Sequence, residues 1–281
     1  MTLLIAASCS LNGIDETPGP LDRAPERVYA TIADPGNDQT TRVYLGEDLR
    51  LYWNADDRIS YFDKEIFNYE YRFEGSSGDR KGTFKKVKSV FHSSVEISHV
   101  RAVYPYDSRN AVDEDDESMT VFFPENQAYA DNSFGSGANI MVAVEDDENL
   151  MFKNAGAYLC IKLYGSDVSV SSIGLSGNDG EAVAGKATVT MEPGSLPETV
   201  MDASASKTVK VACDNPVTLG NTKEDYTSFW FVVPPVTFCE GFTLTVTDAG
   251  GRTFTKTTSK SFALKRNSIT SMAPLEVDFQ Q

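Results

Sequence analysis

The chain has 281 residues, of which 41% are hydrophobic and 23% charged, and its formal net charge is -16 at pH 7. An acidic excess this large argues against nucleic acid or an anionic membrane face as a partner, because no basic stripe is available to neutralise either. Pro and Gly recur at short intervals between runs rich in Val, Thr, Tyr, Phe and Ile, without a sustained helical period. This pattern predicts an all-β protein, and the length allows two ordinary cores or one large β domain.

The N-terminal residues have the pattern that ends a bacterial lipoprotein export signal. A short apolar run at residues 3–5 and small residues at 6–8 precede Cys9. Small residues before the cysteine are what the signal peptidase requires, so Cys9 is predicted to carry the lipid. A chance apolar start is the alternative, because the run is short and no Lys or Arg precedes it. The Pro-, Gly- and acid-rich chain that follows predicts a disordered tether, and residues 1–26 are assigned to signal remnant and tether.

A first β domain is predicted over residues 27–147. Residues 27–33 form its first strand, and residues 53–62 contain a strand end, an Asx-type turn and a second strand. The acidic run at 113–117 lacks the spacing of a calcium loop, so no metal is predicted there. Four lysines on one hairpin predict an exposed edge strand protected by charge, and they are Lys81, Lys85, Lys86 and Lys88.

A second β domain is predicted over residues 148–281. The acidic run at 145–148 cannot enter a core without paired cations and therefore indicates an exposed connection between domains. Just beyond it, Leu159, Ile161 and Leu163 alternate with mixed residues, which predicts a core strand. Short strands then recur at regular spacing to the end of the chain. Such a series predicts a Greek-key-like β-sandwich.

Residues suited to catalysis or metal binding are few. His92 and His99 would lie on opposite faces of a regular strand, and no nucleophile motif adjoins them. Cys160, Cys213 and Cys239 match no CxxC metal pattern and are predicted to be small buried hydrophobes, with a disulfide between the last two left open. No cofactor or metal is predicted, and the chain is not expected to be an enzyme.

Several short segments occur along nearly the whole chain after the tether. They are Trp53-x-x-x-Asp57-x-Ile59-x-x-Phe62, Ala102-Val-Tyr-Pro-Tyr106, Pro124-x-x-Gln127-x-Tyr129, Phe152-Lys-Asn154, Ile173-x-Leu175 with Ala184-Gly185, Val233-Pro-Pro235 before Phe242, and Thr255-Lys256 through Lys265-Arg266-Asn267. In this order they resemble the fimbrillin-like lipoproteins of Bacteroidales, the type V pilin group. The resemblance implies two transthyretin-like Greek-key β-sandwich domains in tandem, on a lipid-anchored precursor at the outer membrane surface.

The resemblance also implies a mode of assembly. In the polymerising members of that family, an Arg-specific protease removes the N-terminal strand, and the exposed groove accepts a donor strand from the next subunit. The candidate cleavage positions are Arg23, Arg27 and Arg42. Arg42 is favoured because a strand would lie on its N-terminal side. The candidate donor residues are Leu275, Val277 and Phe279, which alternate along what is otherwise the ordinary last strand.

Two functions of different classes are therefore considered. The main hypothesis is a fimbrial subunit or adhesin, whose partners are other pilin subunits and host or bacterial surface ligands. The short chain after Asn267 leaves a tip, anchor or non-polymerising role open. The alternative is a monomeric surface glycan-binding lipoprotein, which would need exposed aromatic side chains. Trp53 and Trp230 are the obvious candidates, but their sequence context predicts that both are buried.

Overall fold

The computed structural model describes residues 24–33, 51–88 and 95–279. These residues form strands and turns without an α-helix, which confirms the predicted all-β class, and none of them forms a helix suited to spanning a membrane. The strands up to residue 154 are β1 (Arg27–Ile32), β2 (Arg58–Phe62), β3 (Tyr69–Phe73), β4 (Lys81–Lys86), β5 (Val100–Tyr104), β6 (Ala111–Val112), β7 (Met119–Phe123), β8 (Asn126–Ala130), β9 (Ser133–Phe134), β10 (Met141–Glu145) and β11 (Asn149–Asn154). The strands beyond it are β12 (Ala157–Tyr164), β13 (Ser169–Gly177), β14 (Gly185–Thr190), β15 (Glu198–Met201), β16 (Thr208–Thr218), β17 (Thr227–Val233), β18 (Val236–Phe238), β19 (Phe242–Asp248), β20 (Thr253–Thr258), β21 (Phe262–Leu264), β22 (Ile269–Ser271) and β23 (Leu275–Glu276).

Seven strands close into a barrel in the order β1-β11-β10-β5-β2-β3-β4. Side chains alternate along each strand, so every second one enters the barrel, and many of these are aromatic. Trp53 makes edge contacts with Phe84, Tyr104 and Phe152 at centroid distances of 5.1, 5.3 and 5.4 Å. This Trp is 1% exposed, which confirms its predicted burial.

The lysine-rich strand β4 is an interior strand of the barrel, so the prediction of an exposed edge was wrong. β4 pairs antiparallel with β1 on one side and with β3 on the other. Lys86 turns inward, is buried, and donates a hydrogen bond from its amine to the carbonyl of Ala24. Charge alone suggested an edge, because the pairing of β1 with β4 is a long-range contact that lysine spacing does not encode.

Two further sheets share a second core. One has the order β17-β12-β22, with β23 also paired to β12, and the other has the order β20-β19-β13-β16-β8-β9. Leu159, Ile161 and Leu163 of β12 are buried in this core together with Ile173 and Val246 of the other sheet. The alternation in β12 therefore predicted its core face correctly.

Strand pairing crosses the predicted boundary at residue 147. β11 lies beyond that boundary, yet it completes the barrel by pairing with β1 and β10. β7 pairs with β14, and β8 pairs with β16. Because β6 pairs with β7 and β9 pairs with β8, four strands of the first half belong to sheets with strands of the second half. A division into tandem domains stays a prediction, and the pairing establishes which strands share a sheet.

Candidate functional site

The N-terminal strand β1 contributes one wall of the barrel core. Val28, Ala30 and Ile32 point inward and are each at most 2% exposed, whereas Arg27 and Tyr29 point outward. The inward residues contact the aromatic cluster around Trp53. Without β1, this part of the core would open to solvent along an apolar groove with three pockets at alternate positions.

Both backbone edges of β1 are paired. On one side β1 runs antiparallel to β4, and on the other it runs parallel to β11, with Tyr29 opposite Asn149 and Ile32 opposite Phe152. Further backbone bonds join Tyr29 N to Glu148 O and Ala33 N to Phe152 O, both at 2.9 Å. Removal of β1 would therefore leave two unpaired strand edges beside the apolar groove, which is what an added strand satisfies.

Side chains of the neighbouring strands hold the residues that precede β1. Lys86 donates to the carbonyl of Ala24, and the hydroxyl of Tyr71 donates to the carbonyl of Pro25. Arg27 Nε donates to Glu74 Oε2 at 2.9 Å on the surface, and this bond holds the pKa of the Glu74 carboxyl below its usual value. Residues 24–27 are thus anchored by the barrel itself.

The predicted processing and lipidation residues fall largely outside the described chain. Arg23, Arg42 and Cys9 lie there, so their surroundings are untested. Arg27 is the first residue of β1, and its side chain is 54% exposed while bonded to Glu74. A cut after Arg27 would leave the rest of β1 covalently attached to the barrel. A cut after Arg42 would separate the whole of β1 from the remaining chain.

The C-terminal segment, residues 269–279, lies along β12. β22 and β23 both run parallel to β12, with Leu275 opposite Leu163, and Val277 N donates to Tyr164 O at 2.9 Å. Val277 is buried, whereas Leu275 and Phe279 are half-buried against the same core. The candidate donor residues therefore occupy their own fold here.

A glycine permits this close approach to the end of β12. A Cβ added at Gly165 would lie 2.6 Å from the carbonyl oxygen of Val277. Real Cβ atoms do not come that close to a backbone oxygen, so any side chain at this position would push the C-terminal segment away. The need for glycine at position 165 comes from this contact and not from its backbone angles.

The other residues considered as functional in the sequence pack against, or form bonds with, other parts of the fold. Trp230 is half-buried, so its predicted burial is only partly met. His99 is bonded to the Asp146 carboxylate at 2.9 Å, and His92 lies outside the described residues. In the acidic run, Glu117 forms an ion pair of 2.6 Å with the buried guanidinium of Arg101.

No disulfide joins the cysteines of the described chain. Cys160, Cys213 and Cys239 are free thiols, and they are buried, half-buried and exposed respectively. Asp179, Glu181 and Cys239 bring ligand atoms within 4.8 Å of one another, but Glu181 already accepts backbone N–H bonds from the other two residues. Its carboxylate therefore holds two loops together, and we assign no metal to the cluster.

One half-buried acidic group was not identified from the sequence. Asp57 accepts hydrogen bonds from Tyr104 Oη at 3.1 Å and from Asn54 N at 2.8 Å. Burial raises the pKa of Asp57 to about 6, although both hydrogen bonds oppose the shift. The signal was present in the sequence, because Asp57 and Tyr104 belong to two of the family-like segments, but spacing did not show that they meet.

Other family-like segments also meet in pairs. The side-chain amide of Gln127 donates to Val232 O at 2.6 Å and accepts from Val232 N at 3.0 Å, so it pairs with β17 like a neighbouring strand. Arg266 Nη1 donates to Asn154 O at 3.0 Å, and Asn267 N donates to Gly156 O. The hydrogen bonds between these segments hold the fold together.

Comparison with known proteins identifies the fold. No family model and no curated protein matches the chain. The solved structure of a candidate cell adhesion protein from Bacteroides ovatus matches 90% of this chain and 92% of its own chain, at 14% identity and a TM-score of 0.52. The chain shares the fold of that Bacteroides protein. The expected resemblance to Bacteroidales surface proteins is thereby confirmed at the level of fold.

Two further solved structures match the chain more weakly. A candidate cell adhesion protein from Bacteroides uniformis matches 89% of this chain and 91% of its own, at 16% identity and a TM-score of 0.49. A fimbrial protein from Bacteroides ovatus matches 90% of this chain and 50% of its own, at 13% identity and a TM-score of 0.34. The assignment of the fold rests on the first structure alone.

Proposed function

We propose that the chain is a cell-surface fimbrial subunit or adhesin that assembles with other subunits by strand addition. The observation that carries the proposal is the position of β1, an N-terminal strand paired on both edges in a closed barrel. Its loss would create two unpaired edges and an apolar groove in one step. A cut at Arg42 would allow that loss, because the whole of β1 lies on its N-terminal side.

The cellular setting is part of the same proposal. Cys9 would carry a lipid that anchors the precursor in the outer membrane, and residues up to 26 would lift the folded part from that surface. Two transthyretin-like domains in tandem would meet near residue 147, with β7 and β8 linking them through their pairing with β14 and β16. The partners would be further pilin subunits and surface ligands.

Limited digestion with an Arg-specific protease tests the proposal. We expect one cut after Arg42, found by N-terminal sequencing, followed by a ladder of multimers on an unboiled denaturing gel. Arg42→Lys should abolish both the cut and the ladder, whereas the matched changes Arg23→Lys and Arg27→Lys should leave both intact. A clean cut at Arg42 without multimers at any concentration would refute assembly by strand addition, and glycan retention would then favour a monomeric binding lipoprotein.

A further inference from the structure

The two ends of β1 are held very differently by the barrel. Before and at its first residue, four side chains of β3, β4 and the turn between them contact the segment 24–27. They are Tyr71, Glu74, Lys85 and Lys86. The amide of Lys86 also donates to Glu26 O at 3.0 Å, and Ala24 is buried beside these contacts. We call this set of contacts the N-terminal clamp.

The other end of β1 has fewer side-chain contacts among the described residues. Ile32 N donates to Arg80 O at 2.9 Å, and Arg80 Nη2 donates to Ile32 O at 3.3 Å. Beyond these, Ala33 N donates to Phe152 O. Hydrogen bonds of this kind each contribute modestly to stability, so the end with more of them is expected to open last.

We propose that a cut within residues 34–50 does not by itself free β1, because the N-terminal clamp retains the cut strand until an incoming strand displaces it from its Ile32 end. Only the identity of the incoming strand rests on the function proposed above. The cut creates a new chain end on the C-terminal side of Ile32, and within the described residues this end of β1 has the fewer side-chain contacts. Retention follows from the three buried side chains of β1, its two paired edges and the clamp, none of which depends on the peptide bond that is cut.

This arrangement is an autoinhibitory device. The groove stays filled while no other strand is present, so the apolar core and the two strand edges are not exposed to unspecific pairing. An incoming strand can begin to pair beside Phe152 and Arg80 and then replace β1 residue by residue towards Arg27. The clamp is the last part to release, so weakening its contacts should speed the exchange.

A sequence-specific protease site placed between Gly36 and Thr41 of the full chain allows the test without the natural protease. After the cut, native mass spectrometry should show the N-terminal fragment still bound. Exchange is then measured by fluorescence anisotropy with a labelled synthetic peptide of residues 24–33, the strand's own sequence. Prompt loss of the fragment after the cut, or unfolding of the cut protein, would overturn the proposal.

Two conservative variants examine the clamp. Tyr71→Phe and Lys86→Met each remove a hydrogen bond to residues 24–25 while keeping side-chain volume, and each should speed exchange about fivefold. Lys81→Met is the matched control, because Lys81 lies on the same strand with an exposed side chain opposite Thr31. Equal exchange rates in all three variants and the unchanged protein would contradict a clamp.

Hydrogen exchange in the cut protein tests the direction of release. The amide of Ile32 should lose protection before the amide of Lys86, which bonds to the clamped segment. The reverse order would contradict peeling from the Ile32 end. A peptide of residues 268–281 tests the proposed function separately: if the strand's own peptide exchanges and this one never does, retention stands and donation by the C-terminal segment fails.

Discussion

The N-terminal strand β1 is paired along two edges inside a closed barrel. Within the part of the chain that the structure describes, β22 and β23 of the C-terminal segment pair along one edge, with β12. β1 buries three side chains almost completely, and the C-terminal segment buries only Val277 to that degree among its three alternating residues. The barrel therefore depends on β1 for closure. The sheet of β12 and β17 remains continuous if the C-terminal segment leaves.

This difference separates the roles that strand addition requires. A strand whose removal opens a barrel is suited to keeping a groove filled, since the groove exists only when that strand has gone. A strand at the margin of a sheet is suited to leaving and pairing elsewhere, because its departure breaks one set of backbone bonds. The two ends of one chain thus have the physical properties of a plug and of a donor.

The largest contrast is expected from deleting each end in turn. Loss of residues 1–33 removes Val28 and Ile32, which alone contribute about 3–6 kcal/mol, a large part of a typical stability of about 5–15 kcal/mol. We expect that deletion to unfold the barrel, seen as loss of near-ultraviolet circular dichroism from its aromatic rings. Deletion of residues 275–281 should keep that signal. An equal loss in both variants would contradict the larger contribution of β1 to stability.

Single truncations of buried side chains should show the same order on a smaller scale. Ile32→Ala is expected to reduce the free energy of unfolding by about 2–5 kcal/mol, because it leaves a cavity in the closed barrel. Val277→Ala removes less volume beside an edge that can relax, and about 1–2 kcal/mol is expected. Urea denaturation of both variants measures the two values, and a larger effect at Val277 would contradict the difference between the ends.

The barrel and the C-terminal segment should also differ in their response to pH. Burial raises the pKa of Asp57 from 3.8 to about 6, so the folded barrel holds a proton that the unfolded chain releases at lower pH. The stability gained is complete below about pH 3.8 and is lost as pH rises through about 6, by about 1–3 kcal/mol.

Asp57→Asn provides the control for that pH dependence. Unfolding curves between pH 4 and 7 should show the decline in the unchanged protein relative to the variant. Hydrogen exchange should show that protection declines with rising pH in the barrel strands and not in residues 269–279. A parallel pH profile for the two proteins would show that Asp57 does not carry the effect.

The smallest effect is expected at the last described residues. The guanidinium of Arg252 lies 5.2 Å from the centroid of the Phe279 ring. Arg252→Gln removes this cation–π contact together with the 2.6 Å ion pair between Arg252 Nε and the Asp248 carboxylate. Because the Arg is exposed, a combined loss of about 1 kcal/mol is expected. Faster carboxypeptidase trimming of the C-terminal residues, without a change at β1, would place the loss there. Unchanged trimming would mean that Phe254, which contacts the same ring, holds it alone.

Local patterns in the sequence predicted local structure well. The strand predicted at 27–33 is β1 at Arg27–Ile32, and the aliphatic alternation in β12 marks its buried face. Both follow from side-chain periodicity, which a sequence displays directly. The burial of Trp53 followed in the same way from its neighbours.

Long-range pairing could not be derived in this way. Nothing in residues 27–32 indicates that this strand pairs in parallel with residues more than a hundred positions later. Nothing there indicates the antiparallel pairing with β4 either, which is the contact that makes β4 an interior strand. The raised pKa of Asp57 comes from burial and is opposed by the hydrogen bond from Tyr104, and both effects arise only when β2 and β5 pair. Candidate residues outside the described chain, Cys9, Arg23 and Arg42, remain predictions from the sequence.

The short link at residues 155–156 joins two strands that each hold one end of the chain. β11 holds β1 and β12 holds β22 and β23, in both cases side by side in parallel. A pull along the strand direction at either end would load the backbone bonds together, in shear, instead of opening them one after another. A force applied at one terminus would be transmitted to the other through residues 149–164. This stretch would therefore carry the tension between the two ends.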